Sequence, residues 1–167
     1  MKKIVLIIGL IIAIIFIIFI MQSKSALSPG SNSKNNGIAT ISEKVLNLSN
    51  NGLTSIPMDV FSQTNLEELN VSHNNLTGAI QSQIGQLKNL KILNASYNKM
   101  TGVPAEIGQL QNLESLDLSY NQLTGLPQEL GNLQKLKILN LTGNNYSQQD
   151  LDYIRSKLPT NTIIILK

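Results

Sequence analysis

The chain has 167 residues, with thirteen Lys/Arg, ten Asp/Glu, one histidine and no cysteine, for a net charge of +3 at pH 7. The lack of cysteine excludes disulfide caps, cysteine zinc sites and a lipoprotein-type anchor, and a single histidine excludes a two-histidine metal site. Lys2 and Lys3 supply two of the positive charges, so from Gln22 onward eleven Lys/Arg face ten Asp/Glu, and the remaining +1 gives no basis for nucleic-acid binding.

Residues 1–3 read as a cytoplasmic stub. Ile4–Met21 is an unbroken apolar run of 18 residues. As a helix it measures about 27 Å, close to the hydrocarbon thickness of a bilayer. A cleaved signal peptide has a core of about 7–15 residues. This run is longer, and no good small-x-small cleavage site follows it. It has no polar face, which argues against a buried helix of a soluble domain. An uncleaved transmembrane signal anchor is expected, with cleavage and secretion as the alternative. Lys2, Lys3 and the α-amino group outweigh the more spread Lys24 and Lys34, which places the N-terminus in the cytoplasm and the rest of the chain outside. Residues 22–40 are rich in Ser, Asn and Gly and read as a flexible tether with a mean span of about 25 Å.

From there the chain is periodic. Asn51, Asn74, Asn98, Asn121 and Asn144 recur at intervals of 23, 24, 23 and 23 residues. Leu66, Leu69, Val71 and Leu76 frame Asn74, and Leu113, Leu116, Leu118 and Leu123 frame Asn121. The first copy keeps Leu46, Leu48 and Leu53 but has Glu43 in the leading position. A fixed period in this range means a solenoid. Each Leu-x-Leu step has period two and predicts a short strand with one buried face, completed only by the strand of the next repeat. Asparagine at the turn carries both donors and an acceptor, so the five form a structural row that satisfies inward-facing backbone groups. Ile56-Pro57, Val103-Pro104 and Leu126-Pro127 then lead into one short helical or 3₁₀ turn per repeat on the convex side. Gly78, Gly102 and Gly125 are read as turn residues at one offset.

These residues resemble the leucine-rich repeat family, over Val45–Tyr146. Leu76-Thr77-Gly78-Ala79-Ile80 in the longer second copy is similar to the plant-receptor subtype, while the other copies are similar to the 23-residue bacterial subtype. The resemblance implies an α/β solenoid: a right-handed curved array of five repeats with a parallel concave sheet, over residues 41–167. Residues 147–167 resemble the C-terminal helix–strand cap of bacterial members. Ser147-Gln148-Gln149-Asp150 looks like a capping box, Leu151, Ile154 and Leu158 follow at helical spacing, and Thr162–Leu166 reads as a last strand.

Outward strand positions line the concave face in three rows. These are Asn47, Asn70, Asn94, Asp117, Asn140; then Ser49, Ser72, Ser96, Ser119, Thr142; then Asn50, His73, Tyr97, Tyr120, Gly143. The face reads as polar, amide-rich and nearly uncharged. His73, Tyr97 and Tyr120 stand at one offset in consecutive repeats and are the expected binding centre, with Asp117 to fix a donor and Asn70, Asn94 and Asn140 beside them. Small polar residues that merely keep an exposed sheet soluble are the plainer reading of the Asn and Ser rows. The Asn-x-Ser/Thr matches are generated by the repeat and do not count as glycosylation signals. No nucleophile–base set or phosphate-cradling loop can be assembled, so neither catalysis nor a cofactor is expected. The expected function is a membrane-tethered recognition module that binds a protein or a glycan. The alternative is a surface scaffold or adhesin without a specific ligand.

Overall fold

The computed structural model describes residues 44–167. The expectations for the stub, the apolar run Ile4–Met21, the tether and Glu43 lie outside the described residues. Six short strands form one parallel sheet: β1 (Val45–Asn47), β2 (Glu68–Asn70), β4 (Ile92–Asn94), β6 (Ser115–Asp117), β7 (Ile138–Asn140) and β8 (Ile163–Ile165), in that spatial order. The register carries the sequence period directly: Leu46 stands beside Leu69, Leu69 beside Leu93, Leu93 beside Leu116, and Leu116 beside Leu139. Leu69, Leu93, Leu116 and Leu139 are at most 1% exposed. Burial of such side chains contributes roughly 1.5–3 kcal/mol each. Leu46, Leu48 and Leu53 in the first repeat are only half-buried, since among the described residues β1 is the edge of the stack and has one neighbouring repeat.

After each strand the asparagine closes the turn. Asn98 Nδ2 donates to the carbonyls of Val71 at 3.0 Å, Ala95 at 3.1 Å and Ser96 at 3.2 Å, and its Oδ1 accepts from Leu76 N at 3.0 Å. Asn74, Asn121 and Asn144 repeat this set, each reaching one repeat back to Leu48, Ala95 and Leu118. Asn51 departs from the expected row. It is exposed, its side chain makes no hydrogen bond among the described residues, and its backbone N–H joins the row by donating to Asn74 Oδ1 at 3.0 Å. A second amide row escaped the sequence reading. Asn89 donates to Thr64 O and Asn112 to Lys88 O, both at 2.9 Å, where the chain turns back toward the sheet.

The convex side carries 3₁₀ turns at Met58–Ser62, Ser82–Gln86, Ala105–Gln109 and Gln128–Asn132. Pro57, Pro104 and Pro127 precede three of them, and Gln81 the fourth. Successive turns pack on glycine. A Cβ at Gly108 would lie 2.5 Å from Glu129 O, and one at Gly131 would lie 2.7 Å from Lys157 Cβ. The longer second repeat spends its extra residue on a feature the sequence reading did not foresee. β3 (Thr77–Ala79) pairs in parallel with β5 (Lys99–Gly102), and the register slips after Gly78. Gly78 in β3 has φ +66, whereas Gly102 in β5 and Gly125 do not have positive φ, so the expected common turn role is not shared.

At the other end, α1 (Gln148–Lys157) buries Leu151 and Ile154, and β8 joins the sheet beside β7. Ser147 Oγ accepts from Asp150 N. The reciprocal half of the expected capping box is absent: Asp150 Oδ2 instead accepts from Leu126 N at 3.2 Å, tying the helix to the preceding repeat.

Candidate interaction surface

Two strand-borne rows, a serine row just past the strand ends and a row in the turn that follows make up the concave side. In this last row His73, Tyr97 and Tyr120 are all exposed. Asn50, His73, Tyr97 and Tyr120 all have positive φ, between 52° and 60°, and Gly143 has 69°. This left-handed conformation is where the chain leaves each strand and turns to the asparagine that follows. Gly and Asn adopt it at little cost; a bulky side chain is uncommon there. The side chains it projects meet each other. His73 and Tyr97 stack with ring centroids 4.4 Å apart and planes 9° apart, and Tyr97 and Tyr120 stack at 4.4 Å and 19°. The spacing follows the distance between neighbouring strands. Tyr120 then leans over Gly143, where a Cβ would lie 2.8 Å from its Cδ1. Both tyrosines remain nearly half exposed, at 46% and 47%. The Tyr97 phenol is pushed above its ordinary value, first by desolvation and then by the charge of Tyr120.

The row Asn47, Asn70, Asn94, Asp117, Asn140 is not the free amide surface that the sequence suggested. Each side-chain Oδ1 accepts the backbone N–H two residues on: Ser49, Ser72, Ser96, Ser119 and Thr142, at 2.9 to 3.2 Å. These are Asx turns that bend the chain out of the strand. Asn94 is 7% exposed and also accepts from Ser96 Oγ at 2.7 Å. Asp117 is committed within the fold as well: Oδ1 accepts from Ser119 N and Oγ, and Oδ2 from Asn140 Nδ2 at 3.2 Å. The serine row is likewise buried at Ser72, Ser96 and Ser119. Of the expected binding residues, the fold therefore brings His73, Tyr97 and Tyr120 together at the surface and turns Asn94 and Asp117 to internal bonds.

Two features of the same face were missed. The other outward strand position carries Val45, Glu68, Ile92, Ser115, Ile138 and Ile163, so the face holds apolar side chains, with Val45 47% and Ile163 42% exposed. Just before it, Lys44, Glu67, Lys91, Glu114 and Lys137 alternate in sign from repeat to repeat. Glu67 bridges Lys44 at 2.5 Å and Lys91 at 2.6 Å, and Lys137 pairs with Glu114 at 2.5 Å. The hydrogen bonds from the two lysines lower the Glu67 carboxyl from 4.5 to about 2. Lys137 lowers Glu114 in the same way, while Glu68 is raised, first by burial and then by Glu67. The signal was present in the chain: these five residues share the 23–24 spacing of the asparagines. Among the described residues no cluster of potential metal ligands occurs.

A family model described as a leucine-rich repeat region matches residues 41–156. A search of curated proteins returns no significant match. Among solved structures, a leucine-rich repeat protein of Leptospira interrogans is 40% identical with a TM-score of 0.62, over 66% of this chain and 28% of that one. The ectodomain of the Arabidopsis thaliana receptor kinase SOBIR1 is 27% identical with a TM-score of 0.59, over 73% and 67%. The ectodomain of the Arabidopsis thaliana membrane receptor kinase GASSHO1/SCHENGEN3, solved in complex with CASPARIAN STRIP INTEGRITY FACTOR 2, is 32% identical with a TM-score of 0.56, over 67% and 14%. The chain thus spans under a third of the first of these proteins.

Proposed function

The chain belongs to the leucine-rich repeat family, and we propose that its concave side binds a protein partner, centred on His73, Tyr97 and Tyr120. The stacked row carries this reading. Three large rings sit exposed at backbone positions where bulk is costly, a combination that favours a role in contact over one in folding. The stack also favours a polypeptide over a sugar. The rings cover one another's faces, so a sugar has little ring face to lie on. What they offer is a continuous wall of ring edges and two tyrosine hydroxyls, which suits the mixed surface of a polypeptide. Ile92 and Ile138 lie farther up the strands on the same face and extend the contact with apolar area. The GASSHO1/SCHENGEN3 ectodomain, solved with a bound factor, supports a protein partner by analogy.

The test is capture of partners on the immobilised full-length protein, followed by affinity measurement. Tyr97→Ala and Tyr120→Ala are each expected to weaken binding by at least about 1 kcal/mol with the fold intact. Unchanged affinity in both would move the site to the convex side or the rim. The proposal includes the tether: Ile4–Met21 acts as a signal anchor and displays the repeats outside the cytoplasmic membrane.

A further inference from the structure

The five asparagines at the turn offset share a position but not a chemistry. At Asn74, Asn98, Asn121 and Asn144 the side-chain nitrogen is held by three carbonyls. The backbone nitrogen of the next residue is held too: Asn75 N donates to Leu53 O, Lys99 N to Leu76 O, Gln122 N to Met100 O and Asn145 N to Leu123 O. Among the described residues Asn51 has neither restraint. Its amide is exposed and makes no hydrogen bond among the described residues. The next residue, Gly52, is exposed at φ +67, its N–H has no partner among the described residues, and nothing lies within 4 Å of where its Cβ would be.

We propose that Asn51-Gly52 is a modification site at which the folded protein converts Asn51 to aspartate and isoaspartate through a succinimide. The Gly52 backbone nitrogen gives its proton to solvent base and attacks the Asn51 side-chain carbonyl carbon. A C–N bond forms, the bond to the side-chain nitrogen breaks, and ammonia leaves with a proton from solvent. Water then opens the ring. Cleavage of the bond from Gly52 nitrogen to the side-chain carbon gives aspartate, and cleavage of the bond to the backbone carbonyl carbon gives isoaspartate. Water is the only co-reactant, and no electrons are exchanged. Glycine matters because no Cβ obstructs the approach of its nitrogen. Either product places a negative charge beside Asn50, one repeat before His73 in the aromatic row. Isoaspartate also lengthens the backbone next to the bond from Asn51 N to Asn74 Oδ1. The inference is independent of whether the aromatic row binds a partner.

The full-length protein is held in mildly alkaline buffer, folded and in parallel in denaturant, and each asparagine is followed by peptide mass mapping that resolves aspartate from isoaspartate. Folding is expected to slow Asn51 by no more than about threefold and to slow Asn74, Asn98, Asn121 and Asn144 by at least about tenfold, because only the latter need local opening. The other Asn-Gly pair, Asn36-Gly37, falls on a separate fragment and is scored apart. Gly52→Ala is expected to slow the folded reaction at least about tenfold, by obstructing the nitrogen. Since Ala at this φ is strained, Asn51→Gln serves as a second variant that keeps Gly52 and abolishes conversion at position 51. Protection of Asn51 equal to that of the other four, or conversion that persists in Asn51→Gln, would overturn the assignment.

Discussion

At the scale of single residues, asparagine does three different jobs in this chain, decided by offset and neighbours. Asn98 joins two repeats through four hydrogen bonds to backbone groups. Asn98→Ala leaves those groups buried without partners and should cost about 1–3 kcal/mol in a denaturant melt. Asn51→Ala, at the same offset but exposed, should cost no more than about 0.5 kcal/mol. Asn94 is a residue on which structure reverses the sequence expectation. As an exposed concave amide its loss would cost almost nothing. As a buried Asx turn it should cost about 1 kcal/mol or more, and the same melt decides between the two. The offset of His73, Tyr97 and Tyr120 was legible as a row, because period and strand spacing suffice. Their left-handed backbone and the wrap of Tyr120 over Gly143 were not, since no local pattern marks where the strand ends.

At the scale of elements, adjoining repeats are fitted to one another by small residues and paired charges. Gly108→Ala puts a methyl group against the Glu129 backbone, which cannot yield without shifting the next 3₁₀ turn, and should destabilise by about 1–3 kcal/mol. Gly102→Ala, with Ala79 Cβ as its nearest neighbour at 3.9 Å, is the contrasting variant and should be far milder. The alternating row makes a pH prediction. The folded Glu67 carboxyl lies below its unfolded value, so its stabilising effect is fully present above 4.5 and is lost as pH falls toward about 2. Glu67→Gln should therefore flatten the stability–pH curve in that window and leave it unaltered near neutrality in shape. Added salt should weaken the effect, because the lysines are exposed. Alternation of sign is visible in the sequence once the strands are aligned, yet reading along the chain separates each lysine from its glutamate by 23 or 24 residues.

At the scale of the whole molecule, the repeats form one continuous core from Ile56 to Leu158, so the solenoid should melt in a single transition, with circular dichroism and tyrosine fluorescence giving the same midpoint. The proposed display outside the membrane makes a cellular prediction: protease added to intact cells or spheroplasts should remove the repeats, and full protection would reverse the orientation. The period determined the solenoid, the inward leucines and the alignment of His73, Tyr97 and Tyr120 in one row, because a repeat that cannot bury its face alone leaves stacking as the one way to complete it. Tertiary structure decided the rest: which amides close turns and which face solvent, the extra β3–β5 pairing, the turn of Asp150 toward Leu126, and the exposure of Asn51. The physical reason is that the fate of a polar group depends on which backbone groups the neighbouring repeat leaves open, and those lie one full period away in the chain.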